Sequence, residues 1–288
     1  MYQCEFHPYT IYCHIQNASI TRRLQRTMIN VKNFIKRNFL GRNIGPISVH
    51  EAIRIGQIEN FSLDGENIYW LITNPGDEIQ SSQLKDVFYE LKLLKEAKKN
   101  FGDCKTIIDI GSNIGNHAVF FSKFMHPKRL VVCEFYEESI KHLLLNLALN
   151  FSPCFDLSNL GLAIGREASR GNIIGPPRFN QGLTRVELAE LGIVKIVRGD
   201  DIFSGITPDL IKIDVEGMEI DVIYGLKNII DQFKPGIFIE VFDNNTTEML
   251  KILNKSGYEV VNITRMYEGC ANYMLKSTAK IESENQGD

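Results

Sequence analysis

Asp109-Ile-Gly-Ser-Asn-Ile-Gly115 follows a short apolar run and places an acid two residues ahead of a glycine turn. Gly111 lets the chain turn tightly and lets a ligand approach without a Cβ in the way, while Gly115 allows close packing of the helix that must follow. The acid decides what kind of ligand this is. A dinucleotide site sets backbone N–H groups and a helix N-terminus against a pyrophosphate, which an added carboxylate would repel. S-adenosylmethionine carries no phosphate and brings a sulfonium and an ammonium, for which Asp109 is a suitable counter-charge. Glu134 ends the next apolar run, 19 residues beyond Gly115, where an acid can accept both hydroxyls of a ribose. An NAD-dependent oxidoreductase is disfavoured by the missing second glycine and by Asp109.

A second group of ionisable residues lies in Asp209-Leu-Ile-Lys-Ile-Asp-Val-Glu-Gly217. Two-residue alternation puts Lys212, Asp214 and Glu216 on one side and Ile211, Ile213 and Val215 on the other. Three charges on a central strand are costly unless they pair or face a cleft. In open α/β sheets that cleft lies at the carboxyl ends of the strands. The simpler reading is a Lys212–Asp214 ion pair with Glu216 near the start of the next helix. The functional one makes Asp214 or Glu216 the base that deprotonates or orients an acceptor, with Lys212 setting its charge state. Glu240 ends the following strand and points to the same cleft. Asp200 and Asp201 are more ordinary turn residues, and His117, in the helix after the glycine turn, is a weaker candidate base.

These residues need strands that end at one edge. Strands are expected over 106–110, 130–135, 155–163, 195–198, 209–215, 236–241, 258–263 and 272–276, with helices near 115–125, 137–150, 217–231 and 246–256. Thr-Ile-Ile and Leu-Ile-Lys-Ile have the near-continuous apolar texture of parallel strands buried on both faces. The last two strands, joined through Gly269, form an antiparallel hairpin. Upstream, Asp64-Gly65 marks a hairpin between Phe61 and Ile72, and Leu84–Lys99 has the spacing of one helix. Residues 19–40 form an amphipathic helix bearing most of the seven basic and no acidic residues found between Arg22 and Arg42. Such a helix either packs on the main domain or makes peripheral contact with a membrane surface or an acidic partner. The extension is taken as 1–100, the cofactor-binding domain as 101–277, and the polar tail 278–288 as disordered.

The net charge of −3 and the acidic catalytic half give no reason to expect a nucleic-acid partner. The six cysteines form no Cys-x-x-Cys pair, so reduced thiols, no structural metal and a cytoplasmic location are expected. No stretch has the apolar length of a membrane span, and the N-terminus has no convincing signal peptide.

IIDIGSNIGNHAVFFS (107–122), CEFYEESIKHLLLNLALN (133–150), LIKIDVEGMEIDVIYGL (210–226) and PGIFIEV (235–241) together resemble the FkbM family of S-adenosylmethionine-dependent methyltransferases. A weaker match is Asp77-Glu-Ile79 followed by Phe88-Tyr-Glu90. The resemblance implies an α/β, Rossmann-like class I methyltransferase fold: a mostly parallel seven-stranded sheet, a C-terminal antiparallel hairpin and an N-terminal helical and β extension. It further implies that Asp109, Gly111, Asn113 and Gly115 bind the methionine part of the cofactor, Glu134 the ribose, and Leu162 and Ala163 the adenine. Lys212, Asp214 and Glu216 then lie beside the transferred methyl group. Ser112 and Phe135 belong to the same site but depart from the family, Ser112 replacing its usual alanine and Phe135-Tyr136 the proline after the ribose acid. The acceptor implied is a hydroxyl of a small molecule or glycan. Two alternatives stay open: a metal-dependent O-methyltransferase using Asp214, Glu216 and Glu240 as oxygen ligands for Mg²⁺, and a non-catalytic scaffold.

Overall fold

A computed structural model describes residues 4–7, 10–13, 56–175 and 184–285. The basic helix expected over 19–40 lies outside the described residues.

The first elements are a hairpin of β1 (Cys4–His7) and β2 (Thr10–Cys13), and a second of β3 (Gln57–Leu63) and β4 (Glu66–Ile72). The second turns at Asp64-Gly65, both at positive φ, as the Asp-Gly signal predicts. The main sheet has seven strands: β5 (Thr106–Ile110), β6 (Arg129–Cys133), β7 (Phe155–Asp156), β12 (Leu210–Ile213), β13 (Gly236–Phe242), β14 (Tyr258–Thr264) and β15 (Cys270–Ser277). Their order is β14-β15-β13-β12-β5-β6-β7. The strands from β7 through β13 run parallel, and the β14–β15 hairpin closes one edge antiparallel. This is the expected Rossmann-like architecture.

Alternation along each strand sorts the core. Ile107, Leu130, Leu210 and Phe238 face one layer; Ile108, Val131, Ile211 and Ile237 face the other. The first layer is covered by α2 (Leu91–Phe101), α3 (Asn116–Phe124) and α4 (Glu137–Leu149), the second by α6 (Glu219–Gly225), α7 (Lys227–Phe233) and α8 (Thr246–Lys255). The β3–β4 hairpin docks on α4 through polar side chains one turn apart. Asn146 accepts the Leu71 N–H at 3.0 Å, Asn150 brackets both peptide groups of Tyr69, and His142 contacts the Leu71 carbonyl at 2.6 Å. The open edge of β4 is thereby paired without a further strand.

Several elements differ from expectation. Of the single helix expected over Leu84–Lys99, only the part from Leu91 forms, as α2; Leu84–Glu90 is non-helical and follows a separate short helix, α1 (Glu78–Gln83). Asp86 and Glu90 take φ of +60° and +58°, and the break sends Phe88 into the core, edge-on to Phe61, Trp70 and Phe120. The strand expected over 155–163 ends at Asp156. Gly161, at φ +82°, turns the chain, and Leu162–Gly165 becomes β8. That strand pairs with β11 (Val194–Arg198) in a separate four-stranded sheet with β9 (Ser169–Ile174) and β10 (Arg185–Leu188), two strands too polar to carry an apolar signal. A short helix, α5 (Gly199–Ile202), follows β11, and the helix expected over 217–231 is divided at Leu226. The tail beyond Ser277, expected to be disordered, is helical as α9 (Thr278–Asn285), its first residue anchored by the Thr278 N–H and hydroxyl on the Gly257 carbonyl. Among the described residues no helix is long and apolar enough to cross a membrane.

Candidate active site

Beyond the carboxyl ends of β5, β6, β12 and β13 lies a cavity of about 340 Å³, where open α/β sheets bind their ligands. Gly111, Asn113, Glu134, Phe135, Leu162, Ala163, Asp214 and Glu216 all line it, as does Glu240. Asp109, Ser112, Gly115 and Lys212 do not; they form the layer beneath.

That layer is electrostatic. Asp109 and Lys212 are register partners on β5 and β12, and both are enclosed. Lys212 Nζ lies 3.3 Å from Asp109 Oδ1, 3.3 Å from Asp214 Oδ2, and donates to the Gly111 carbonyl at 2.7 Å. Burial alone would push the Lys212 ammonium down, but the two carboxylates outweigh it and hold it above its usual range. Asp109, expected to face the ligand, is held by a cation from its own protein. The ion pair anticipated for Lys212 and Asp214 is present, extended to a third member.

The turn itself is tightly constrained. A Cβ on Gly111, at φ +79°, would stand 1.7 Å from the Asp214 carbonyl oxygen, and one on Gly115 would meet Leu143 of α4 at 2.8 Å. The close packing made possible by Gly115 is thus against α4. The Ser112 hydroxyl donates to the Asp109 carbonyl at 3.0 Å. Glu134 accepts from three amides, those of Asn113 (2.9 Å), Phe135 (2.7 Å) and Tyr136 (2.8 Å). Burial raises the Glu134 carboxyl while these donors oppose the rise. The Glu134 carbonyl accepts the Gly161 N–H at 2.8 Å, which brings Leu162 and Ala163 beside the acid.

A family model described as the methyltransferase FkbM domain matches residues 109–260, more than half of the chain. The chain belongs to the FkbM methyltransferase family. Comparison with curated proteins returned no match. Among solved structures, the chain is similar to the FkbM methyltransferase of Methylobacillus flagellatus (18% identity, TM-score 0.40, 59% of this chain and 43% of that one). It is also similar to the precorrin-6y C5,15-methyltransferase of Geobacter metallireducens (14%, 0.41, 65% and 87%) and to M. jannaschii TYW2 in complex with AdoMet (11%, 0.38, 77% and 87%). The chain spans less than half the length of the first of these.

In this member of the FkbM family the cavity is strongly acidic. Glu78, Glu90, Glu134, Asp214, Glu216, Glu240 and Glu268 line it, with no lysine, arginine or histidine among the lining residues described. One carboxylate oxygen each from Asp214, Glu216 and Glu240 falls within 4.8 Å of the others. Burial, then the charge of Asp214, pushes Glu216 up to about 8 and Glu240 to about 9. Glu240 accepts from Asn272 of β15 at 3.1 Å. Across the mouth, the hydroxyls of Tyr89 and Tyr267 lie 2.8 Å apart, joining the segment before α2 to the β14–β15 loop. Tyr267 and Glu268 were missed as site residues because they lie on a loop with no motif of its own, and Glu78 carried a signal only in the Asp77-Glu-Ile79 resemblance. Tyr89 and Glu90 carried a signal only in the Phe88-Tyr-Glu90 resemblance.

Proposed function

We propose that this chain transfers a methyl group from S-adenosylmethionine to a hydroxyl of a small molecule or saccharide. The observation that carries the reading is the set of seven carboxyl side chains in the cavity above the glycine turn, with no cationic side chain among its described lining residues. A cofactor bearing a sulfonium and an ammonium suits that field, and a pyrophosphate does not. Asn113 Oδ1 supports the fit, since it is buried at the cavity wall without a hydrogen-bond partner and offers an acceptor to an ammonium. Glu134 Oε2, which accepts one amide, keeps a lone pair for a ribose hydroxyl, and Phe135, Leu162 and Ala163 offer an apolar wall to the adenine. Asp109, Ser112, Gly115 and Lys212 shape the floor. When bound, the cofactor supplies an electrophilic methyl group.

The protein's task is alignment and exclusion of water. Asp214, held through Lys212, and Glu216 orient the acceptor hydroxyl at the strand ends. The carboxylates also select the acceptor: a phosphate-bearing molecule, nucleic acid included, would be repelled, and a neutral polyol can donate its hydroxyls to them.

Calorimetric titration with S-adenosylmethionine tests the reading. Binding is expected at neutral pH, with net release of up to about one proton, because a cation in the cavity favours the ionised forms of Glu216 and Glu240. Affinity should rise as pH approaches about 8, where Glu216 ionises, and level off above it as the ligand's own ammonium, ordinarily near 8, gives up its proton. Titrations in buffers of different ionisation enthalpy report the released proton; no binding in any of them would sink the proposal and favour a scaffold.

The convergence of Asp214, Glu216 and Glu240 favours a second reading, in which Mg²⁺ joins the site through oxygen ligands. Under the first reading EDTA leaves turnover unchanged. Loss of turnover on chelation, restored by Mg²⁺, would replace it with the second.

A further inference from the structure

Glu90 and His117 have no part in the roles above, and Glu90 lies outside the family match. Glu90 lines the cavity, yet its side chain is only 6% exposed, and its Oε2 lies 3.3 Å from Nε2 of the equally enclosed His117. His117 is held in turn by the Phe238 ring, nearly parallel to it at 5.9 Å. Its Nδ1 is buried without a hydrogen-bond partner. A neutral imidazole protonated on Nε2 accounts for both nitrogens: the N–H faces the carboxylate, and the lone pair, rather than a donor, is left unpaired.

The backbone is committed to the same contact. Glu90 takes φ +58°, ψ +31°, a left-handed conformation that is strained for a non-glycine residue and persists only where its surroundings enforce it. Asn116 enforces it, donating to the Tyr89 carbonyl at 2.9 Å and accepting the Tyr89 N–H at 3.2 Å. Consecutive residues of α3, Asn116 and His117, thus hold consecutive residues 89 and 90 against the cavity. The other carboxylates on that side are engaged. Asp214 is paired with Lys212, and Glu240, raised by burial and then by the charges of Asp214, Glu90 and Glu216 in that order, favours its protonated form near neutrality.

We infer that Glu90 is the general base for the methyl acceptor and that His117 is the positioning residue that holds its carboxylate. The inference rests on the methyltransferase reading of the cavity. The acceptor oxygen forms its bond to the methyl carbon as the C–S bond breaks, the electron pair passing to sulfur and leaving a neutral thioether. The acceptor's proton passes to a Glu90 oxygen. The 3.3 Å separation is within the range of catalytic pairs before substrate binds.

The full-length chain and its Glu90→Gln and His117→Gln variants are compared for S-adenosylmethionine affinity by calorimetry. Turnover is followed as S-adenosylhomocysteine release, across pH, with methyl α-D-glucopyranoside, glycerol and catechol as acceptors. Glu90→Gln should still bind the cofactor, more weakly because one of seven lining carboxylates is gone, lose roughly 10²–10⁴-fold in kcat at saturating cofactor, and lose the acidic limb of the pH–rate profile. His117→Gln should lower kcat about tenfold with KM unchanged and shift that limb. A long-range ¹H–¹⁵N spectrum should show His117 protonated on Nε2 in the parent. If Glu90→Gln does not fold, Glu90→Asp serves instead, with the limb kept and the rate reduced. Cofactor binding with parental turnover in Glu90→Gln, or an unchanged limb, overturns the assignment alone. A parent that binds no cofactor, or methylates none of the three hydroxyl acceptors, overturns the methyltransferase reading and the base with it.

Discussion

Lys212→Met is expected to destabilise the protein by about 3–5 kcal/mol, the usual cost of removing one partner from a buried ion pair. Asp109 is fully enclosed, and neither of its carboxylate oxygens has a hydrogen bond to fall back on. Without the ammonium it must carry an unpaired charge in the core or take up a proton. The corresponding fall in melting temperature is about 10 °C for a chain of this size. Adding Asp109→Asn should recover a large part of the loss, since the cost belongs to the orphaned charge rather than to the missing contact. Chemical denaturation of the parent, the single variant and the double variant measures both effects. A single-variant loss below about 1 kcal/mol would show that the pair does not sustain the floor. Because Lys212 is held above its ordinary value of 10.5, its contribution is fully present below pH 10.5 and is lost as pH rises through the folded value. The comparison therefore gives the same answer anywhere near neutrality.

Gly111→Ala should be at least as damaging. The added Cβ would meet the Asp214 carbonyl oxygen at 1.7 Å and its carbon at 2.8 Å, and both are backbone atoms of the adjoining strand end that cannot rotate away. A loss above about 4 kcal/mol, or failure to fold, is expected. Gly205 provides the control, with an almost identical φ of +81° but nothing within 4 Å of its Cβ position. Gly205→Ala should cost only about 1–2 kcal/mol, the left-handed penalty by itself. The difference between the two, read from thermal melts, isolates the close approach of β5 and β12. Equal losses at the two sites would contradict it.

The parallel strands were legible because apolar runs buried on both faces have no other plausible use at that length, and their alternation with helices implies parallel pairing, though not the order of the strands. The residues of the glycine turn, Glu134 and the β12 acids were legible by type and spacing, and they do line one cavity, apart from those in its floor. What one chain could not show was pairing across the sheet. Asp109 and Lys212 are 103 positions apart and meet only because β5 and β12 are neighbours, so an acid that looked available to a ligand is already neutralised. The lead-in segment failed differently. Leu84, Val87, Phe88, Leu91 and Leu94 have helical spacing, and nothing local announces that Asp86 and Glu90 leave the helical region. Asn116, a residue of α3, imposes that break, and tertiary contact overrides propensity.

The docking of the β3–β4 hairpin on α4 bears on where this protein can be cut. The family match begins at Asp109, which invites expression of a minimal fragment from that point. Such a fragment would strip the partners from Asn146, Asn150 and His142, expose the core layer built around Trp70 and Phe88, and discard Glu90. Residues 57–101 therefore belong to the first core layer, from Ile68 and Trp70 to Leu94 and Ala97, and the boundary of the cooperative folding unit lies well upstream of the boundary of the recognisable family.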